Sequence, residues 1–278
     1  MIPSGIMSKR EVDLEQYFTT PAIAGSCVEL VKKHYDLTKF DNIIEPSVGA
    51  GAFLEHLPIR TIAIDIDPEM KCNYLGDFLE INFSKQRSLF IGNPPFGRRS
   101  SIAFKFIEHA LPSAKVIAFI LPNSFHKANF INRLPANLHQ VDSLDVSGIW
   151  NGNYLNLTFF IYEKRQEERE KIVEESTHPD FTMIHKHLSR TSDEEFDRVK
   201  REYDFAMGQV ANAKVKDFDS LKKKGSLFFI KTNNPYVREV FNRLDFSFLD
   251  NKNTAHKSLS RSDIIEAYKI ALITLDNY

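Results

Sequence analysis

The chain reads as an α/β protein: a mostly parallel, doubly wound sheet closed by an antiparallel hairpin, then a small C-terminal α+β region. Three observations predict this. Short apolar strands alternate with helical patterns over residues 1–165. A glycine-bearing turn, Pro46-Ser47-Val48-Gly49-Ala50-Gly51, follows the first strand. A charge run over residues 163–171 then breaks the alternation.

Residues 14–34 lead into a helix with apolar positions at Ile23, Val28, Leu30 and Val31. Residues 42–45 form a first strand, 52–57 open a helix after the glycine turn, and 61–65 form a second strand. Residues 88–92 are a third strand running into Asn93. A helix over 101–111, a buried strand over 115–121 and a helix over 130–138 come next. Residues 140–146 and 155–162 make the terminal hairpin. The charge run is expected as a solvated helix near the boundary between a catalytic domain, 1–165, and a target-recognition or accessory region, 166–278. In that second region Ser192-Asp193-Glu194-Glu195 carries a capping box ahead of a helix reaching Phe205. A strand is expected over 226–230, with helices over 235–244 and 262–275.

A chain of 278 residues with 42% hydrophobic and 26% charged residues can bury one core, or one core and an appendage. Residues 1–165 hold 17 basic and 17 acidic residues and residues 166–278 hold 19 and 20, so neither half is a basic domain. Contact with a polyanion must come from a local patch. No apolar run is long enough to span a bilayer, and the first ten residues lack a signal-peptide core. Cys27 and Cys72 form no metal or redox spacing and are expected as small core residues in a reducing compartment: the cytoplasm, or the nucleus of a eukaryotic or virus-infected host.

The chemistry starts at Glu45 and the glycine turn. Glycines after a first strand let the backbone approach a ligand, a pattern that is equally a tight strand-to-helix turn. The second strand ends in Asp65, whose carboxylate suits the two hydroxyls of a ribose. A dinucleotide site has a similar layout, but Leu54 stands where its third glycine belongs. Glu45 also disfavours a pyrophosphate and suits a ligand carrying positive charge, such as a sulfonium or ammonium.

Asn93-Pro94-Pro95-Phe96 decides the reading. It follows a strand, where open α/β sheets place their ligands. An aromatic amine is a weak nucleophile because its lone pair is delocalised into the ring. The Asn93 side-chain oxygen and a carbonyl of the Pro94 region can each accept one N–H and polarise the nitrogen. Two prolines fix φ and hold those acceptors still. Phe96 offers a stacking face worth about 1–3 kcal/mol, against the few kcal/mol needed to unstack a base. A chance match to this tetrapeptide is on the order of one in a thousand for such a chain.

Over residues 14–165 the chain resembles the N6-adenine branch of the amino-methyltransferases, which act mostly on DNA. The resemblance implies a Rossmann-like class I methyltransferase sheet, S-adenosyl-L-methionine as cofactor and no metal. It rests on Tyr17-Phe18-Thr19-Thr20-Pro21, the 45–51 turn, Ile64-Asp65-Ile66-Asp67-Pro68, Gly76-Asp77-Phe78-Leu79, the 93–96 loop and the segment around Phe106. Tyr17, Thr20 and Pro21 are implied to hold the methionine end of the cofactor, although the motif carries one threonine more than the commoner form. Glu45, Pro46, Gly49, Gly51, Asp65, Ile66 and Asn93 are implied to line the cofactor bay. Asp77 is implied to bind the cofactor's adenine amine, with Phe78 beside it, and Phe106 to pack on that ring. The motif order is gamma-like, which places target recognition C-terminal, though the remaining length is short for a full recognition domain. The family implies a nucleic-acid substrate, DNA before RNA, action as a monomer or homodimer, and a cognate restriction endonuclease as partner.

Arg98 and Arg99 are candidate phosphate contacts. Trp150 or Tyr154 is a candidate second aromatic against the flipped base, with a hairpin aromatic capping the core as the alternative for Trp150. Residues 121–125 are a candidate lining of the target pocket or a structural turn. Lys214, Lys216, Lys222, Lys223 and Lys224 form a phosphate-contacting or merely solvated cluster. His178, His185 and His187 lack the partners of a metal site. Three other readings stay open: an RNA adenine methyltransferase, a protein-glutamine methyltransferase, and a non-catalytic nucleic-acid-binding subunit. Phe96 in place of tyrosine disfavours the second. The intact set Gly49, Gly51, Asp65, Asp77 and Asn93 disfavours the third.

Overall fold

A computed structural model describes residues 18–83, 87–150, 152–210, 214–221, 223–249 and 258–276. The chain divides into two compact units, Met1–Ile172 and Val173–Tyr278.

In the first unit, helix α1 (Pro21–His34) starts where Thr20 accepts the Ile23 N–H on its hydroxyl and Pro21 supplies a preset φ. It ends with Lys32, Lys33 and His34 at the negative pole of its dipole. The strands are β1 (Asn42–Glu45), β2 (Ile62–Asp65), β3 (Tyr74–Leu75), β4 (Ser88–Gly92), β5 (Ala114–Pro122), β6 (Leu138–Asp145) and β9 (Leu157–Lys164), with the small hairpin β7 (Gly148–Trp150) and β8 (Asn153–Leu155) between the last two. They form one seven-stranded sheet in the order β3-β2-β1-β4-β5-β9-β6. Pairs from β3 to β5 are parallel; β9 runs antiparallel between β5 and β6. This is the expected doubly wound, Rossmann-like sheet with its antiparallel terminal hairpin.

Strand alternation splits the core between the two faces. Leu89 and Ile91 of β4 pack with Ala24, Cys27, Val28 and Val31 of α1. Phe90, between them in sequence, faces the opposite way and packs with Phe104, Phe106 and Ile107 of helix α2 (Ser101–Ala110).

Three expected helices are shortened or absent. Residues 52–57 are a run of turns, because Leu57 precedes Pro58 and the proline ring disfavours helical backbone there. Helix α3 covers only Ala128–Ile131; Pro135 lacks an amide, and β6 begins soon after. The charge run is not helical. Arg165 and Arg169 donate backbone N–H bonds to Asn137 and Ala136, and the Arg169 guanidinium takes the carbonyls of Ile131 and Leu134. A cation here satisfies carbonyls left open beyond a short helix, so the segment lies on the first unit and the expected boundary at residue 165 falls inside it.

The second unit holds an antiparallel sheet, β10 (Thr182–His187), β11 (Phe205–Gly208), β12 (Val215–Lys216) and β13 (Ser226–Lys231), in the order β10-β13-β11-β12. Helices α5 (Tyr236–Asn242) and α6 (Arg261–Asp276) cover one face through Val240, Phe241, Ile264 and Tyr268. Helix α4 (Asp193–Glu202) covers the other through Phe196 and Val199. Only half of the expected capping box forms. Ser192 accepts the Glu195 N–H at 3.2 Å, but the Glu195 carboxylate pairs with Lys186. The helix stops at Glu202, and Phe205 opens β11.

Candidate active site

The strand order reverses between β1 and β4, and a crevice opens beyond the carboxyl ends of these strands. It is a solvent-open cleft. Its walls come from Phe18 and Thr19, from Glu45 and the turn after β1, from Asp65 and Ile66 after β2, and from residues 93–96 after β4.

The glycine turn is held by the second strand. Val48 donates its N–H to the Ile64 carbonyl at 3.1 Å, and Gly49 donates its own to Asp65 Oδ2 at 2.8 Å. Asp65 Oδ1 accepts the Asp67 N–H at 2.8 Å. Each Asp65 oxygen therefore secures one amide and keeps a further lone pair for a ligand. Gly49 and Gly51 have φ of +52° and +83°, where a side chain is strained, and a Cβ on Gly49 would lie 3.4 Å from the Phe18 ring. No regular helix follows the turn; the bonds to Ile64 and Asp65 hold it in place.

Glu45 is 1% exposed, and its Oε2 has no hydrogen-bond partner among the described residues. Burial first, and the Asp65 carboxylate second, push its carboxyl well above the usual range. Gly92 leaves it room: at φ +151° its missing Cβ would stand 3.3 Å from Glu45 Cγ. A buried acid with an unused oxygen at the wall of a cleft is stabilised by a cation, which fits a sulfonium or ammonium ligand.

The loop 93–96 is anchored at both ends. Ser47 Oγ donates to the Asn93 carbonyl at 3.0 Å. The Phe96 carbonyl accepts the N–H groups of Ile102 and Ala103, in the first turn of α2, at 3.0 and 3.2 Å. Between loop and helix, Gly97 adopts φ +68°, ψ +171°, a region open essentially to glycine alone. A Cβ there would stand 2.4 Å from Ile102 Cγ1. Gly97→Ala is therefore expected to cost about 1–3 kcal/mol in strain, with a comparable penalty for the clash, and to push Phe96 away from α2. A thermal melt equal to that of the unmodified protein would contradict this.

Of the residues expected at the site, Glu45, Gly49, Asp65, Ile66 and Asn93-Pro94-Pro95-Phe96 line the cleft. Tyr17 lies outside the described residues, as do Asn151 and Lys222. Thr20 and Pro21 do not line it; they begin α1, and the preceding Phe18 and Thr19 take the wall. Pro46 is buried, and Gly51 serves the turn without lining the cleft. Asp77 spends Oδ1 on the Leu79 N–H at the start of a 3-10 turn. Phe78 and Phe106 are core residues, with ring centroids 4.9 Å apart, because Phe106 lies on the buried face of α2 and Phe78, in a 3-10 turn, packs against it. Trp150 is also buried, donating Nε1–H to the Val146 carbonyl, so it caps the core as its alternative reading held. The preceding residue, Ile149, faces out with its cross-strand partner Tyr154, at 78% and 61% exposure. Arg98 and Arg99 are exposed beside the loop and outside the cleft wall. Asn123, after β5, accepts the Thr158 hydroxyl at 2.8 Å and is buried, a structural junction to β9. In the second unit His185 bonds Gln209, His187 bonds Ser189 and Lys223 pairs with Asp193.

Sequence reasoning passed over Ser47 and Phe18. Ser47 sat inside a quoted motif, but nothing in its spacing announces a bond to a residue 46 positions away.

No family model matches the chain, and no curated protein matches it. Solved structures of similar architecture include a candidate RNA methyltransferase from Pyrococcus horikoshii (20% identity, 55% of this chain and 88% of that one, TM-score 0.47). The M protein of the type I restriction enzyme EcoKI aligns over 94% of this chain and 71% of its own at 13% identity and TM-score 0.45. The 23S rRNA methyltransferase ErmE aligns over 55% and 71% at 15% identity and TM-score 0.40. At such identities and scores the likeness says nothing about substrate; the chemistry rests on the residues of the cleft.

Proposed function

We propose that the chain transfers the methyl group of S-adenosyl-L-methionine to the exocyclic N6 amine of adenine in DNA. The observation that supports this best is that Asn93-Pro94-Pro95-Phe96 lines the same cleft as Glu45 and Asp65, so a cationic nucleoside ligand and an amine acceptor share one crevice. The cofactor, when bound, supplies an electrophilic methyl group on its sulfonium. Asp65 offers its remaining lone pairs to vicinal hydroxyls, Ile66 an exposed apolar face to the adenine ring, and Glu45 a carboxylate to the cationic end. On the acceptor side Asn93 and the Pro94 carbonyl take the amine's N–H bonds, and Phe96 stacks on the base. Arg98 and Arg99 contact phosphates, and the second unit contributes target recognition.

Incubation with labelled cofactor and separate pools of DNA, RNA and peptide, followed by digestion to nucleosides, tests the reading. N6-methyladenine from the DNA pool is expected. Label appearing in RNA alone would reassign the polymer, and label in peptide alone would overturn the base chemistry.

Glu45 adds a pH signature. Its carboxyl is raised in the free protein, and a cation favours the ionised form. Cofactor binding below that raised value should therefore release a proton, and affinity should increase with pH until the value is passed. Stability of the free protein has the opposite sign: Glu45's contribution is complete below the ordinary glutamate range and fades as pH rises through the raised value. Calorimetry in buffers of different ionisation enthalpy reads the proton directly. A buffer-independent enthalpy, or one unaltered by Glu45→Gln, speaks against this role.

A further inference from the structure

We infer that Ser47 is a positioning residue for methyl transfer, tying the cofactor-side turn to the amine-binding loop; the inference rests on the reading of residues 93–96 given above. The loop has four main-chain carbonyls. That of Asn93 is taken by the Ser47 hydroxyl at 3.0 Å, and that of Phe96 by the Ile102 and Ala103 amides. Pro94 and Pro95 have no N–H, and their carbonyls accept from no described residue. With both end carbonyls occupied, the Pro94 carbonyl is left to a substrate amine, alongside the Asn93 side chain.

The same serine belongs to a turn that β2 fixes. Its neighbour Val48 bonds the Ile64 carbonyl, and Gly49 bonds Asp65. A path of adjacent hydrogen bonds thus runs from the ribose-side acid, through the turn, to the first residue of the loop, with the side chains of Asp65 and Ser47 at its two ends. Loss of that hydroxyl removes the bond from the turn to the Asn93 carbonyl and loosens the loop at one end, while α2 still holds the other.

Two readouts test this, one of them independent of activity. Hydrogen exchange of the peptide covering residues 93–103 should be faster in Ser47→Ala than in the unmodified protein and near normal in Ser47→Thr, which keeps the hydroxyl; a peptide from β13 serves as control. In single turnover at saturating cofactor, Ser47→Ala should transfer methyl about three- to tenfold more slowly, the loss expected for one hydrogen bond, with cofactor affinity within about twofold and Ser47→Thr restoring the rate. Unaltered exchange in Ser47→Ala overturns the inference, as does an unaltered transfer rate at saturation. If the unmodified protein methylates none of the polymers, the proposed function fails, while exchange still decides whether Ser47 holds the loop.

Discussion

Asn93→Ala is expected to slow methyl transfer by about 10²–10³-fold, or about 3–4 kcal/mol of barrier, the size seen when one preorganised polar group at a reacting centre is removed. Cofactor affinity should change little. Asn93 lines the cleft, and the main-chain carbonyl that Ser47 holds is retained in the variant. The fold should survive as well, since β4 is built from Leu89, Phe90 and Ile91, all fully buried. Tritiated-methyl incorporation and calorimetric cofactor binding, measured on one preparation, check both halves. Incorporation at the unmodified rate would remove the loop from the chemistry.

Asp65→Ala should fail differently, losing cofactor binding and stability together. The carboxylate accepts two amides, those of Gly49 and Asp67. Each amide left without an acceptor costs about 1–3 kcal/mol, nearer the lower figure for the part-buried Gly49, and each kcal/mol lowers the melting temperature by about 2–4 °C in a chain of this size. The turn would lose its clasp on β2, so affinity falls even before the ribose contact is counted. Asp65→Asn keeps one acceptor and should fall between. A melting temperature and an affinity both equal to the unmodified protein's would show that Asp65 neither holds the turn nor meets the ligand.

The two substitutions separate because the site has two sides, and that much is legible in the sequence. Strand periodicity located β1, β2, β4 and β5, and residue chemistry picked Glu45, Asp65 and Asn93 from their ends. Each of these is a local property: alternation along a strand, or a side chain's charge and donor set at a strand terminus. The aromatics resisted the same treatment. The resemblance puts Phe78 and Phe106 on the cofactor side and leaves Trp150 between the base and the core, and all three are buried. A ring has the same hydrophobicity whether it meets a cofactor or a core. Which it meets depends on the face of α2 or of the β7–β8 hairpin that turns inward.

The second unit shows the limit most plainly. Its strand β13 and helices α5 and α6 were readable from pattern, but β10 was not, because Thr182, His185 and His187 make a half-buried strand with weak alternation.

The Asn93-Pro94-Pro95-Phe96 loop and the acid ending β2 follow from the sequence by itself, since each is encoded within a few consecutive residues, and the doubly wound sheet follows from the alternation of strand and helix patterns over residues 1–165. Tertiary structure alone decided that Asp65 clasps the glycine turn, that Ser47 ties that turn to the loop, and that the predicted adenine-side aromatics belong to the core. All three depend on contacts between residues far apart in the chain, and only the register of packed strands brings those residues together.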